Sequence, residues 1–427
     1  MKKSTIIVTA FCLAAALSAP AGMAYADVNQ NTLSEQYAAQ MGGWQMGMQG
    51  GGQMGRGGQM GMQGGGMMGG GMMGGAQNIS ETPGEVVFSS AVNTAADLEA
   101  DTENAQLITM SGTNSQVEIS EAGTYIITGS CSDGNIVVKK GTSGVVLILQ
   151  DLDLTSTTGA AVSVNKEASA KIIISGTVTL TDAENPADET SSDAEVADAY
   201  DGAVIKAKAN SSLYLTGDGT LNLNGTAKNG IKGGDDSSVI IDSLTLNIAA
   251  SNDAVNANYD LTILSGNITI YATDDALHAE HILTLGSEDG TGPTVNIVSC
   301  SEGLEATVVN ILGGDITVSS SDDAINAANK DGLYKDELTY SLNQLGGTVT
   351  VNSNGDGYDS NGNINLIAGT AVISSRYNGG EAGVDYDGQY YCSESFQLNN
   401  NSGISGPDNM GGGMMGGNGG RGGNRHP

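Results

Sequence analysis

The sequence predicts an all-β fold, a right-handed parallel β-helix (solenoid) with disordered Gly/Met-rich tails. Short runs rich in Val, Ile, Leu and Thr, such as "GTYIITGS", "AKIIISGTVTLTD" and "SSVIIDSLTLNIAAS", follow one another and are broken by Gly, Asn, Asp and Ser. That is the pattern of strands separated by tight turns. A motif of polar, small and bulky apolar residues recurs as Asn229-Gly230-Ile231, Asp253-Ala254-Val255, Asp275-Ala276-Leu277, Glu302-Gly303-Leu304, Asp323-Ala324-Ile325 and Asp356-Gly357-Tyr358. Its third positions lie 24, 22, 27, 21 and 33 residues apart. A second motif interleaves with it, at Leu264 to Ile270, Leu312 to Val318 and Leu345 to Val351. Two motifs in fixed order within one short period mean one coil per period. Aliphatic positions then stack inward, and rungs follow one another at about 4.8 Å.

In chain order, Lys2 and Lys3, the apolar run Ile6 to Leu17 and Ala24-Tyr25-Ala26 read as a signal peptide over 1–26, with the mature chain starting at Asp27. Phe11 is too bulky to precede a lipoprotein cysteine at Cys12. Residues 27–84 read as a low-complexity Gly/Met/Gln-rich linker, and ten of the 16 Met lie in 41–73. Glycine costs the most backbone entropy on ordering and adds no side chain to a core. Thioethers are also soft ligands suited to Cu(I), a lesser reading of this tract. The β-helix occupies 85–405, and 406–427 form a second Gly-rich tail. The long spacings are explained by turn insertions at 286–293 and 330–340, and 182–201 is a further acidic, mobile loop. No segment beyond the signal is apolar enough to span a membrane. Cys131, Cys300 and Cys392 give neither a disulfide framework nor a zinc motif.

Charge sets the class of partner. With 48 Asp+Glu against 16 Lys+Arg, the chain carries a net charge of −32, which repels nucleic acid and anionic membrane. Stacking the rungs aligns Asp253, Asp275, Glu302, Asp323 and Asp356, with Asp274 and Asp322 beside them. Glu305 and Asp359 fall on a neighbouring column with Asn256, His278 and Asn326. Between Gly84 and Asn400 the only Arg is Arg376, and no Lys lies between Lys232 and Lys330. Stacked carboxylates raise one another's pKa, and a hard divalent cation bridging rungs would relieve this. Ca2+, which accepts six to eight oxygens in loose geometry, suits such an edge. The competing explanation is that Asp and Asn are turn formers that satisfy local N–H groups; the doubled carboxylates Asp274-Asp275 and Asp322-Asp323 exceed what a turn needs.

The runs "DDALHAEHILTL", "GGDITVSSSDDAIN", "NGDGYDSNGNINLIAGTAVISS" and "GVDYDG", together with "GTYIITGS" and "VVLILQDLDLTSTTGAAVSV" nearer the front, resemble the bacterial carbohydrate-binding domain-containing β-helix family. The likeness covers roughly residues 85–405. It implies a pectate-lyase-like shape that binds calcium and cell-wall polysaccharide, acidic sugars such as polygalacturonate being favoured. Asn229 and Glu302 interrupt the Asp ladder, and Ser301 replaces the doubled carboxylate before Glu302.

The expectation is therefore a secreted, extracellular polysaccharide-binding protein, with cell-surface association as a further expectation, and with no catalytic residues. Asp253, Asp274, Asp275, Glu302, Glu305, Asp322, Asp323, Asp356 and Asp359 are the candidate calcium ligands. Lys206, Lys232, Asn256, His278, Asn326 and Tyr358 are the candidate carbohydrate contacts. Two alternatives stand beside it. One is a calcium-dependent polysaccharide lyase using Lys206 or Lys232 as base, residues more simply read as solvated lysines. The other is a structural surface protein or adhesin. The single Trp44 lies in the low-complexity region, leaving Tyr271, Tyr334 and Tyr358 as the aromatic candidates for sugar stacking.

Overall fold

A computed structural model describes residues 79–182, 202–328, 334, 336–376 and 381–406. Contacts divide the chain into Met1–Trp44 and Gln45–Pro427, and all described residues fall in the second unit. The expected signal peptide, residues 27–78 and 407–427 of the two Gly/Met-rich tracts and most of the acidic loop lie outside the described residues, as do 330–333 and 335 of the second turn insertion. Among the described residues no helix is long and apolar enough to cross a membrane.

The fold is a parallel β-helix. The described strands form one continuous 28-stranded sheet wound into rungs, and every strand pairing is parallel. A representative rung has three strands, Val255–Ala257, Asp260–Ile263 and Asn267–Tyr271, each on its own face. On the first face Ile136, Val162, Ile205, Ile231, Val255, Leu277, Leu304, Ile325, Tyr358 and Val384 stand in one column. All ten are buried. Alternation along a strand sends the next residue outward, so the bulky third position of the recurring motif faces the core and its neighbour faces solvent. The middle position is small for a steric reason. A Cβ on Gly303 would lie 2.3 Å from the Ala324 carbonyl oxygen, and one on Gly357 2.5 Å from that of Gly383.

The spacing of 27 is explained as expected, since Gly286 to Pro293 forms the connection between Leu277–Leu285 and Thr294–Cys300. The three described cysteines are free, with Cys131 and Cys300 buried.

The outer surface of the second face is covered. Residues 79–101 run along it from the last rung towards the first. Ser80 N–H donates to the Tyr390 carbonyl, Gly84 N–H to Asn365 Oδ1, and Asn310 Nδ2 to the Val87 carbonyl. Asn93 Nδ2 donates to the Leu213 and Ser238 carbonyls, Lys171 Nζ to the carbonyls of Ala96 and Leu98, and Asp101 N–H to Thr124 Oγ1. Beneath this strap Asn310, Asn343 and Asn365 form a buried amide ladder, linked at 2.9 and 2.7 Å. The strap was not foreseen: the stretch to residue 84 reads as linker and 85 onward as solenoid, whereas 79–101 is neither. It leaves the first and third faces for ligands.

Candidate functional site

The outward column of the first face reads Lys206, Lys232, Asn256, His278, Glu305, Asn326, Asp359 and Asp385, rung after rung in register. Beside it, at the preceding turn, stand Asn229, Asp253, Asp275, Glu302, Asp323 and Asp356, joined through Gly230, Ala254, Ala276, Gly303 and Ala324 N–H bonds to the carbonyls of the next rung. These are the two columns that the repeat implies. Several turn carboxylates have a backbone duty. Asp253 accepts from Asp275 N–H at 3.1 Å, Asp323 from Asp356 N–H at 2.6 Å, and Asp356 from Ala382 N–H. Each thus satisfies the orphan donor of the next rung, as turn-forming Asp does. The longer Glu302 instead accepts from Asn326 Nδ2 at 3.0 Å.

Three groups of acidic and histidine side chains converge, each with ligand atoms within 4.8 Å of one another: Asp253–Asp274–Asp275, Asp275–His278–Glu305 and Asp323–Asp356–Asp359. The first two open on a cleft of about 570 Å³ that Glu280, Glu302 and Asn326 also line.

His278 carries the charge balance of this cleft. Its Nδ1 lies 2.8 Å from Glu305 and 3.1 Å from Asp275, and its Nε2 lies 3.3 Å from Glu280. Burial works against the charged ring, but the hydrogen bonds to Asp275, Glu280 and Glu305 prevail and push its pKa up to about 12. An imidazolium therefore sits where a cation between Asp275 and Glu305 would sit. Asp253 is committed as well, to Asp275 N–H and to the Asn256 amide. The donor set around Asp253 and Asp275 is a poor fit to Ca2+: both Asp253 oxygens accept internal donors and Asp275 Oδ2 faces the His278 imidazolium, whereas Asp323 and Asp356 each accept a backbone N–H on one oxygen, Oδ1.

The cluster one rung pair further on differs. Burial, with mutual repulsion, pushes Asp323 up to about 6, Asp356 to about 7 and Asp359 to about 8. Asp322, Glu381 and Asp385 add to the repulsion. Among the described residues no ion pair reaches these three. Glu302, pushed to about 8 by burial and by Glu305, lies on the cleft side. Beside it Asn326 Oδ1 is buried with no hydrogen-bond donor among the described residues. This set of hard oxygens fits a calcium ion.

The expected carbohydrate contacts need correction. Tyr358 is an inward core residue, 0% exposed, with its hydroxyl donating to Gln344 Oε1 at 2.8 Å; it presents no ring to a polymer. Lys206 is only 6% exposed, not a solvated lysine, and is in register with Lys232. Lys232 Nζ donates to both Asn256 Oδ1 and Asn258 Oδ1. His278 faces its carboxylates, and Asn326 is 8% exposed. Glu280 and Asp385 were overlooked. Both had a signal: Glu280 stands two residues after His278 on one strand, and Asp385 continues the Asp359 column.

Comparison with known proteins places this geometry in context. No curated protein matches the chain. A solved structure of a polysaccharide lyase-like protein from C. thermocellum, a gadolinium derivative, is similar at 20% identity and a TM-score of 0.37. The match covers 71% of this chain and 98% of that one. A family model described as carbohydrate-binding domain-containing protein matches residues 113–380, a span from the first described strand to beyond the acidic cluster. The chain belongs to the carbohydrate-binding domain-containing protein family.

Proposed function

We propose that this carbohydrate-binding protein is exported and holds an acidic, polygalacturonate-like polysaccharide without cleaving it, through calcium at Asp323, Asp356 and Asp359. The observation that carries the reading is the convergence of three largely buried carboxylates whose ligand atoms lie within 4.8 Å and whose pKa values burial and repulsion raise to about 6, 7 and 8. A divalent cation relieves both the crowding of like charge and the repulsion between a −32 chain and a polyanion. When bound, calcium would supply a shared positive centre for protein and uronate carboxylates. The protein's own part is to hold its three carboxylates ready on two successive rungs, with Asn326 in register beside Asp359 as a source of a neutral oxygen.

Cleavage has little support from the side chains. Elimination needs a base beside the bound sugar. Lys232 is engaged with two asparagines, Lys206 is buried, and an imidazolium at His278 is a poor base. The mature protein is expected to be retained by immobilised polygalacturonate in millimolar calcium and released by EDTA, with polymer length unchanged. Asp323→Asn with Asp359→Asn should weaken retention roughly tenfold or more. Retention indifferent to EDTA would remove the calcium bridge and favour a structural surface protein. Appearance of ultraviolet-absorbing unsaturated uronate would replace binding by lyase activity.

A further inference from the structure

Lys139 and Lys140 pair with Glu118 and Glu167, and Lys171 donates to two strap carbonyls. Lys232 donates instead to side-chain amides. Its Nζ lies 2.5 Å from Asn256 Oδ1 and 2.5 Å from Asn258 Oδ1. The parallel register sets Lys232 directly beside Asn256 on the next rung, so the two side chains leave the same face from strands about 4.8 Å apart. An amine against a carboxylate makes an ion pair. An amine against an amide carbonyl is a nucleophile against an electrophile.

The amide is itself held by a carboxyl group. Asn256 Nδ2 donates to Asp253 Oδ2. The other oxygen, Oδ1, accepts from the Asp275 N–H at 3.1 Å, which fixes the carboxyl with Oδ2 towards the amide nitrogen. Asp253 is 3% exposed, and burial favours the proton-bearing form of a carboxyl. Asn258 completes the seat of the lysine, because its Nδ2 donates to Asp235 Oδ1 at 2.7 Å and so leaves its own Oδ1 turned to Nζ. Amine, amide and carboxyl thus form one hydrogen-bonded chain. Asp253 and Asn256 both line the cleft of about 570 Å³, which gives a small product a way out.

We infer that this chain of groups builds a covalent tie, in which Lys232 Nζ joins Asn256 Cγ as an isopeptide bond, Asp253 serves as proton donor and ammonia leaves. The lone pair of the neutral amine forms the Nζ–Cγ bond while the carbonyl pair moves to Oδ1. Asp253 gives its proton to Nδ2. The Oδ1 pair then returns, the Cγ–Nδ2 bond breaks and its electron pair departs with ammonia. The proton shed by Nζ restores the Asp253 carboxyl. An amine and a primary amide become a secondary amide and ammonia, with no oxidant, reductant or further reactant. Holding the reacting groups in contact replaces a bimolecular encounter, and proton delivery to the leaving nitrogen lowers the barrier further. The bond ties two rungs across 24 residues of chain. It constrains the unfolded chain as a disulfide does, in a protein whose described cysteines are free.

The test is mass spectrometry of the mature protein. Between Lys228 and Lys330 the only tryptic site is Lys232. Trypsin is expected to leave it uncut and to release residues 229–330 as one piece, lighter than its sequence by one ammonia. Cleavage before Asp should give a branched peptide joining 218–234 to 253–259, with the branch at Asn256. Lys232→Arg and Asp253→Asn should each show the full sequence mass and linear peptides, and an unchanged circular dichroism spectrum checks that they fold. Lys232→Arg should also melt at a lower temperature than wild type. Full sequence mass in the wild type, with trypsin cutting at Lys232, would overturn the inference. Ammonia loss that persists in Lys232→Arg would overturn it too, since it would belong to an asparagine cyclising on its own backbone. A branch that forms undiminished in Asp253→Asn would overturn Asp253 as the proton donor.

Discussion

Tyr358 occupies a column otherwise filled by aliphatic side chains, and the core accepts its phenol because a partner lies inside. Gln344, itself fully buried, takes the hydroxyl on Oε1 and sends its Nε2 protons to the carbonyls of Gly346 and Thr370. Tyr358→Phe removes one bond of this closed set and strands Gln344 Oε1, a loss of about 1–3 kcal/mol for a buried unsatisfied acceptor. Chemical denaturation should report that loss, while retention on polygalacturonate in calcium stays at the wild-type level. Reduced retention at unchanged stability would return Tyr358 to the binding surface. Its burial was legible in the sequence, because the third position of the motif holds Ile231, Val255, Leu277, Leu304 and Ile325 in the other rungs. An aromatic side chain there draws attention to sugars, but period and register decide which way it points. The partners of His278 were less legible. Glu305 is one rung away and Glu280 two residues along the strand, spacings that place both carboxylates near the ring but do not show that one imidazole takes up both.

The strap is the element that the repeat hides. Residues 79–101 have no period, few strand formers and no motif, so sequence patterning has nothing to read. Their fit is defined by the surface they cover, which is built from side chains that alternation sends outward, Asn310, Asn343 and Asn365 among them. These would normally be solvated, yet all three are fully buried, which is the physical trace of the strap on the ladder beneath it. Asn93 is its most heavily bonded anchor, donating to the Leu213 and Ser238 carbonyls and to Ser238 Oγ while accepting from Ala95 N–H. Asn93→Ala removes these side-chain hydrogen bonds from a buried site and should cost about 1–3 kcal/mol. The loss should be local, because the rungs bond to one another and not to the strap for their ladder hydrogen bonds. Amide hydrogen exchange is expected to quicken across residues 84–98 while strands such as Leu304–Ile311 keep their protection. Equal loss of protection in both would mean that strap and solenoid unfold as one unit.

Along the whole solenoid, charge is graded on the first face, from Lys206 and Lys232 through His278 to Glu305, Asp359 and Asp385. The columns were legible from the motif spacings, but the division of labour along them was not, since burial and internal hydrogen bonds separate a self-compensated cleft from an uncompensated cluster. That division governs stability against pH. Asp323, Asp356, Asp359 and Glu302 have folded pKa values of about 6, 7, 8 and 8 against ordinary values of 3.8 for Asp and 4.5 for Glu. The folded state therefore binds more protons than the unfolded state between about pH 4 and 8, and stability falls as pH rises through that window. His278 acts in the same direction at higher pH. Its folded pKa of about 12 lies above the ordinary 6.5, so its contribution is complete below 6.5 and is lost as pH rises through about 12. In EDTA the melting temperature should accordingly decline from pH 5 to pH 8, and Asp359→Asn should make the decline shallower. Calcium competes with protons for the same oxygens, so its stabilising effect should be small at pH 5 and grow towards pH 8. At about one hundred times its dissociation constant, calcium should then add about 2.7 kcal/mol. A melting temperature in EDTA that rises over this range would refute the raised carboxylate pKa values. A calcium increment that is the same at pH 5 and pH 8 would refute their role as the ligands.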